Sequence, residues 1–198
     1  METTTMLDLG PITRSVATLV AGVRDDQLSD PTPCTEYAVG DLVHHLAGLT
    51  VAFTTAARKE VPEGARRAVG DASRLDPNWR DTIRQDLAAL ALAWRHPAAY
   101  HGQTQAGGID MSGAEAAVVG LNELVVHGWD LAVATGQEYD VAEAELAPCL
   151  SFAEFFSTPG TEEMRGDAFG PVIRVGADAP ALDRLLGLMG RDPAWHTG

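Results

Sequence analysis

Apolar residues recur at helical spacing along most of the chain. Leu7, Ile12, Val16, Leu19 and Val23 share one face of a first amphipathic helix over residues 6–23. A second helix is predicted in AVGDLVHHLAGLTVAFTTAARK, residues 38–59, with Val39, Leu42, Val43, Leu46, Leu49 and Phe53 on one broad face. A third runs from about 78 to 94 through Ile83, Leu87, Leu90 and Trp94. Ser112 followed three residues later by Glu115 is a capping-box pattern, and it opens a fourth helix that reaches Thr135. Gly136 is placed to end it in the left-handed region. A fifth helix covers roughly 141–157, and APALDRLLGLMGRD forms a short last one with Leu182, Leu185, Leu186 and Met189 on one side.

The connections read differently. Pro31 and Pro33 exclude regular structure from SDPTPCTEY, and residues 60–78 form a polar linker rich in glycine, proline and charge. Around 95–111 the periodicity breaks at Pro97, Gly102, Gly107 and Gly108, which suits a short hairpin or an extended loop at the mouth of a site. The stretch between the fifth helix and Pro180 is irregular. No internal repeat or heptad run is present. The expected fold is all-α: a four-helix bundle over about 6–157, short accessory helices and loops, and a C-terminal extension over 158–198, together one domain spanning 1–198.

Charge narrows the function. With 14 Lys and Arg against 28 Asp and Glu, the formal charge is −14. That balance disfavours nucleic acid, whose binding needs clustered cations, and equally an anionic membrane surface. No stretch reads as a span of about 20 apolar residues, and no basic segment with an apolar core opens the chain, so a cytoplasmic protein is expected. Cys34 and Cys149 lie far apart and form no CxxC pair, which points away from a zinc ribbon or a disulfide scaffold. Exposed apolar helix faces leave a homodimer open.

The candidate chemistry lies in LNELVVHGWDLAVATG, residues 121–136. Glu123 and His127, four apart, stand above one another on a single helical face among apolar neighbours. Alone, such a pair is also what a half-buried helix carries for electrostatic support. His45 sits in the Leu42–Leu49 stripe of the second helix, where a satisfied core histidine is the plainer reading, and His44 falls about a hundred degrees away toward solvent. Taken together, one histidine from one helix and a Glu/His pair from another can converge inside a bundle. Three protein ligands leave a position for water or substrate, as in catalytic zinc sites, and two histidines with a carboxylate also suit non-haem iron. Asp41 precedes His45 by four and Asp130 follows His127 by three, so each is placed to orient a ligand imidazole; Asp41 also suits a first helical turn through the dipole. Cys34, eleven positions before His45 on a proline-bounded loop, reads as structural, because the intervening chain carries it away from the ligand plane. His101 is a loop residue near the expected mouth, Trp129 points into the core, and His96 and His196 look incidental.

The segments TPCTEYAVGDLVHHLAGL, NELVVHGWDLAVATG and APALDRLLGLMGRDPAW together resemble the DinB-like superfamily. The similarity is to the branch of actinobacterial metal-binding proteins related to the N-terminal domain of mycothiol-dependent maleylpyruvate isomerase. It covers about residues 8–195 and implies a divalent metal, usually zinc with nickel or iron as alternatives, held by His45, Glu123 and His127. It further implies a thiol transferase or isomerase chemistry with mycothiol as co-substrate. The chain departs from the pattern at Tyr37, where tryptophan is usual. Only residues 158–198 follow the bundle, whereas the isomerase carries a C-terminal domain with a catalytic arginine. The expected function is a metal-dependent thiol S-transferase that joins a low-molecular-weight thiol to a small electrophile bound at the bundle mouth, with the 95–111 loop shaping that mouth. A non-catalytic metal-binding or stress-response protein, or a hydrolase using metal-bound water, would share the same ligands.

Overall fold

In the computed structural model, which describes residues 6–161, 165 and 169–197, the predicted helices appear where the apolar spacing places them. Four of them are α1 (Gly10–Gly22), α2 (Val39–Arg58), α3 (Trp79–Ala93) and α4 (Gly113–Thr135). Helix α1 packs on α3 and α4, and α2 packs on the same two, so the four close around one core. Ile12 and Val16 meet Leu42 and Leu46, Ile83 and Leu87, and Leu121 and Leu124 in it, all buried. Helix α5 (Glu143–Phe155) lies on α4, and α6 (Ala181–Leu188) lies on α5.

Helix α4 is apolar nearly all round, because its neighbours cover most of its circumference. It is long and apolar enough to cross a membrane by length and composition alone. However, 78% of its most apolar 18-residue window is buried inside the protein, as the central helix of a bundle requires. Its ends are fixed as predicted. Ser112 Oγ accepts from the Glu115 N–H at 3.2 Å, Glu115 Oε2 accepts from the Ser112 N–H at 2.7 Å, and Gly136 closes the helix at φ 69°.

The 95–111 region resolves into a hairpin. Strand β1 (Gln103–Ala106) pairs antiparallel with β2 (Ile109–Ser112) across Gly107 and Gly108, both at positive φ. Thr104 Oγ1 donates to the Ala56 carbonyl, near the C-terminal end of α2. That end lies about 16 Å along the helix axis from His45, and no residue of 95–111 lines the space beside His45, so the segment does not form the mouth as expected; its turn at Gly107 only backs the 60–78 segment at Arg67. His101 is exposed beside the hairpin.

The 60–78 linker is instead a strap along the N-terminal half of α2. The Ala72 N–H donates to Asp41 Oδ1 at 2.8 Å, and the Asp71 N–H donates to His44 Nδ1, which leaves His44 half-buried rather than facing solvent. A Cβ at Gly70 would lie 2.5 Å from the Asp41 carbonyl oxygen and 2.8 Å from the Tyr37 ring. Gly70→Ala is therefore expected to lower stability by about 1–3 kcal/mol, read as a lower urea midpoint. An unchanged midpoint would show that the strap does not seat there.

After α5 the chain returns to the bundle. Of the irregular stretch expected before Pro180, residues 162–164 and 166–168 lie outside those described. Arg165 donates to the carbonyls of Gly170 and Leu188 and to Ser157 Oγ, and the Ile173 N–H donates to the Gly187 carbonyl. Residues 170–173 are thereby held against α6, and Arg191 beyond that helix reaches α4 at Asp130.

Candidate metal centre

Helices α2 and α4 lie side by side, and the sequence puts His45 on one and Glu123 and His127 on the other, on facing sides. Glu123 Oε2 stands 3.3 Å from His127 Nε2 and 3.9 Å from His45 Nε2. The two imidazoles meet edge to face, with centroids 4.8 Å apart and planes at 88°. All three donor atoms fall within 4.8 Å of one another. Donors bound at about 2.1 Å to a tetrahedral zinc stand roughly 3.4 Å apart, so the cluster needs little adjustment to hold such an ion.

The outer nitrogens fix which ring nitrogens are left. His45 Nδ1 lies 3.0 Å from the Ala68 carbonyl of the strap. A carbonyl only accepts, so Nδ1 carries the proton and Nε2 keeps its lone pair toward Glu123. His127 Nδ1 lies 2.9 Å from Asp130 Oδ2 and is held in the same way. Two imidazoles turned so that both Nε2 atoms converge with a carboxylate form a donor set that fits a divalent cation.

Asp130 is completely buried and does not stand alone. Arg191, from the C-terminal segment, sends Nε to Asp130 Oδ1 at 3.1 Å and Nη2 to Oδ2 at 3.0 Å. Asp130 thus touches His127 as the spacing suggested. Asp41 does not touch His45: its oxygens accept from the backbone N–H groups of Ala38 and Ala72, so it caps α2 and pins the strap. The carbonyl of Ala68 takes the place at His45 Nδ1 that Asp41 was expected to fill.

In the metal-free protein these contacts set the protonation. Burial opposes the His127 imidazolium, but Asp130 and Glu123 outweigh it and hold the ring pKa up at about 9. Burial likewise opposes the Glu123 carboxylate, yet the His127 imidazolium at 3.3 Å, with the His45 ring beside it, keeps its pKa well below the usual range. Burial also works against ionised Asp130, and His127 with Arg191 overcomes it.

The cluster opens into a cavity of about 800 Å³. Its wall includes Tyr37, whose ring lies 5.1 Å from that of His45, with Arg67 from the strap, Asn122 and Val126 from α4, and Met189 and Arg191 from the C-terminal segment. Trp129 is buried away from it, as expected. Cys34 overturns its structural reading. The loop is pinched by an antiparallel bridge between Pro31 and Ala38 and by the Tyr37 N–H on the Cys34 carbonyl, and this returns Cys34 to the cavity. Its Sγ lies within 4.8 Å of a His127 ring nitrogen and an Asp130 oxygen. Burial and the nearby Asp130 push its thiol pKa up, with Arg191 opposing them in part. Of the residues that sequence reasoning missed, only Asn122 carried a signal, as a polar amide next to Glu123 in an otherwise apolar run. Arg67, Arg191 and the Ala68 carbonyl come from irregular segments with no period to read.

Known proteins share this frame. A family model described as the mycothiol maleylpyruvate isomerase N-terminal domain matches residues 9–132, which include His45, Glu123, His127 and Asp130. Two proteins of Mycobacterium tuberculosis, uncharacterized protein MT0763 of strain CDC 1551 / Oshkosh and uncharacterized protein Rv0738 of strain ATCC 25618 / H37Rv, are each 29% identical over 180 residues, covering 88% of this chain and 91% of theirs. The crystal structure of mycothiol-dependent maleylpyruvate isomerase superposes with a TM-score of 0.59, and that of a histidine-to-alanine mutant with 0.60. Both are 16% identical, with 81% of this chain and 71% of the isomerase covered, which establishes a common fold. With the family model covering well over half of its length, the chain belongs to the mycothiol maleylpyruvate isomerase N-terminal domain family.

Proposed function

We propose that this protein is a metal-dependent thiol S-transferase that joins mycothiol to a small electrophile, acting in the cytoplasm as a single-domain enzyme. The observation that supports this most directly is the convergence of His45, Glu123 and His127 on the wall of a large cavity, with both outer imidazole nitrogens engaged. A bound divalent ion, zinc for this donor set with nickel or iron as alternatives, would lower the pKa of a coordinating thiol so that thiolate predominates near neutral pH. The remaining work falls to the chain itself. Ala68 and Asp130 hold the two rings in one orientation, and Arg191 balances the buried Asp130 charge. Tyr37, Val126 and Met189 exclude water from one side of the cavity, while Arg67 offers a cation at its rim. His45, Glu123 and His127 hold the ion and transfer no protons.

The test is elemental analysis of purified protein after dialysis without chelator, wild type beside His45→Ala, followed by an assay of mycothiol consumption with a panel of electrophiles. About one ion per chain, lost in the variant together with metal-dependent consumption, is expected. A wild type that takes up no metal on loading would overturn the proposal. Bound metal with no thiol consumption would favour a non-catalytic metal-binding role, and turnover without thiol would favour a hydrolase.

A further inference from the structure

The C-terminal segment gives the cavity a wall that the metal cluster does not use. Phe169, Pro171 and Met189 line it together with Val126 of α4. Aromatic packing holds Phe169 in place: its ring centroid lies 6.0 Å from that of Phe152 at 81°, and 5.8 Å from that of Phe156 at 53°. The backbone beside it is held as well. Gly190 stands at φ 79°, and a Cβ there would lie 2.7 Å from the Gly170 backbone, so the two segments pack with nothing between them.

Two guanidinium groups that line the same cavity decide what this wall can recognise. Arg165 donates from Nε to the Gly170 carbonyl, from Nη2 to the carbonyls of Gly170 and Leu188, and from Nη1 to Ser157 Oγ. Arg191 is engaged through all three nitrogens by Asp130 and the Met189 carbonyl. An anion is recognised through donors in the guanidinium plane, and here each nitrogen already serves a protein acceptor. What such a group still offers a ligand is its flat face, which stacks on aromatic rings. Arg165 already does so with Phe169, its Cζ 5.4 Å from the ring centroid. Among the described residues Arg67, on the strap, is the one cavity arginine without a hydrogen bond or ion pair, so a single free guanidinium is left for an anion. We propose that the wall is the electrophile subsite and selects a planar aromatic body, set against Phe169 and the guanidinium faces with its reactive carbon toward the metal cluster, a reading that rests on the proposed function for its thiol. The thiolate sulfur attacks that carbon, and the C–S bond forms as the bond to the leaving group breaks. The leaving group departs with that electron pair, and the thiol proton goes to solvent. A further ring extends the Phe152–Phe156–Phe169 cluster by an edge-to-face or offset contact that adds to apolar burial. Because the wall is already held, little order has to be imposed on binding.

Phenacyl chloride and chloroacetone carry the same chloromethyl ketone and differ only in phenyl against methyl. Their ratio of kcat/KM with mycothiol and zinc-loaded full-length chain, each corrected for the uncatalysed reaction, therefore reads the wall. The wild type is expected to favour phenacyl chloride beyond the ratio of the uncatalysed rates, through a lower KM. Phe169→Ala and Phe169→Leu should each cut that preference about fivefold, the worth of one aromatic contact, and Phe169→Tyr, which keeps the ring, should retain it. Binding is measured apart from turnover by NMR titration with acetophenone, which has no leaving group; its affinity should fall by the same factor in Phe169→Leu. A wild type that discriminates no better than the uncatalysed reaction would overturn the proposal. So would a Phe169→Leu variant that behaves as wild type, because an apolar wall of any shape would then suffice. Acetophenone binding that depends on the Phe169 ring, in a protein that consumes no thiol, would support the aromatic subsite while sinking the proposed function. Metal-dependent thiol consumption with acetophenone bound equally by every variant would do the reverse.

Discussion

Replacing Asp130 with alanine is expected to cost about 3–5 kcal/mol of folding stability, because it leaves the guanidinium of Arg191 buried without its counter-charge. The Asp130 side chain is completely buried and that of Arg191 is 13% exposed, so water cannot take over the lost contacts. Among the described residues, only the Met189 carbonyl, 3.3 Å from Arg191 Nη1, remains as a hydrogen-bond partner. Joining Asp130→Leu to Arg191→Met should restore much of the loss, since an apolar pair replaces a buried ion pair at little net cost. Metal affinity should not recover with it: in both variants His127 Nδ1 lacks its acceptor, and such outer contacts are worth about 10–100-fold in affinity. Urea denaturation and a chelator competition titration read the two effects separately. The pH dependence carries a sign as well. Asp130 is held below its usual pKa in the fold, so its contribution is complete above the unfolded value of about 3.9 and is lost as pH falls through the lowered folded one. The stability gap between wild type and Asp130→Asn should therefore narrow in acid. A loss below about 1 kcal/mol for Asp130→Ala at neutral pH would mean that Arg191 has another partner.

The bundle was legible because its signal is local. Each helix repeats apolar residues within a window of a few turns, and Ser112, Glu115 and Gly136 mark the ends of α4 by side-chain and backbone chemistry within a few positions of those ends. The approach of His45 to Glu123 and His127 was legible for the same reason, since each lies on a face fixed by its own helix. Cys34 was misplaced because distance along the chain is a poor guide once a loop is pinched, and the Pro31–Ala38 bridge is a contact between residues that no periodicity links. Asp41 was placed at His45 by an i, i+4 spacing that is real, but two backbone N–H groups that need an acceptor claim its carboxylate first. Arg191 reaches Asp130 from sixty-one positions away, on a segment that looks like an appended tail. The polar half of the site is thus assembled by irregular segments, and their geometry is set by hydrogen bonds that only the folded chain displays.

The second large effect is the pH dependence of metal uptake, and it follows from what Nε2 of His127 does in the metal-free protein. Nδ1 is engaged by Asp130, and with the ring pKa held up at about 9 the imidazole carries a second proton at neutral pH, on Nε2, directed at Glu123 Oε2 3.3 Å away. That nitrogen is the one turned toward the other two donors, so an ion and this proton compete for one lone pair. Between about pH 7 and pH 9 each unit of pH should tighten binding about tenfold and each ion taken up should release about one proton, the dependence flattening once the free ring is neutral. Chelator competition across that range, with proton release followed in weakly buffered solution, measures both quantities. In Asp130→Asn the ring loses one of the carboxylates that raise its pKa, so the plateau should begin at lower pH even though the outer contact to Nδ1 is weaker. Affinity that is flat across the range would mean that His127 is already neutral without metal.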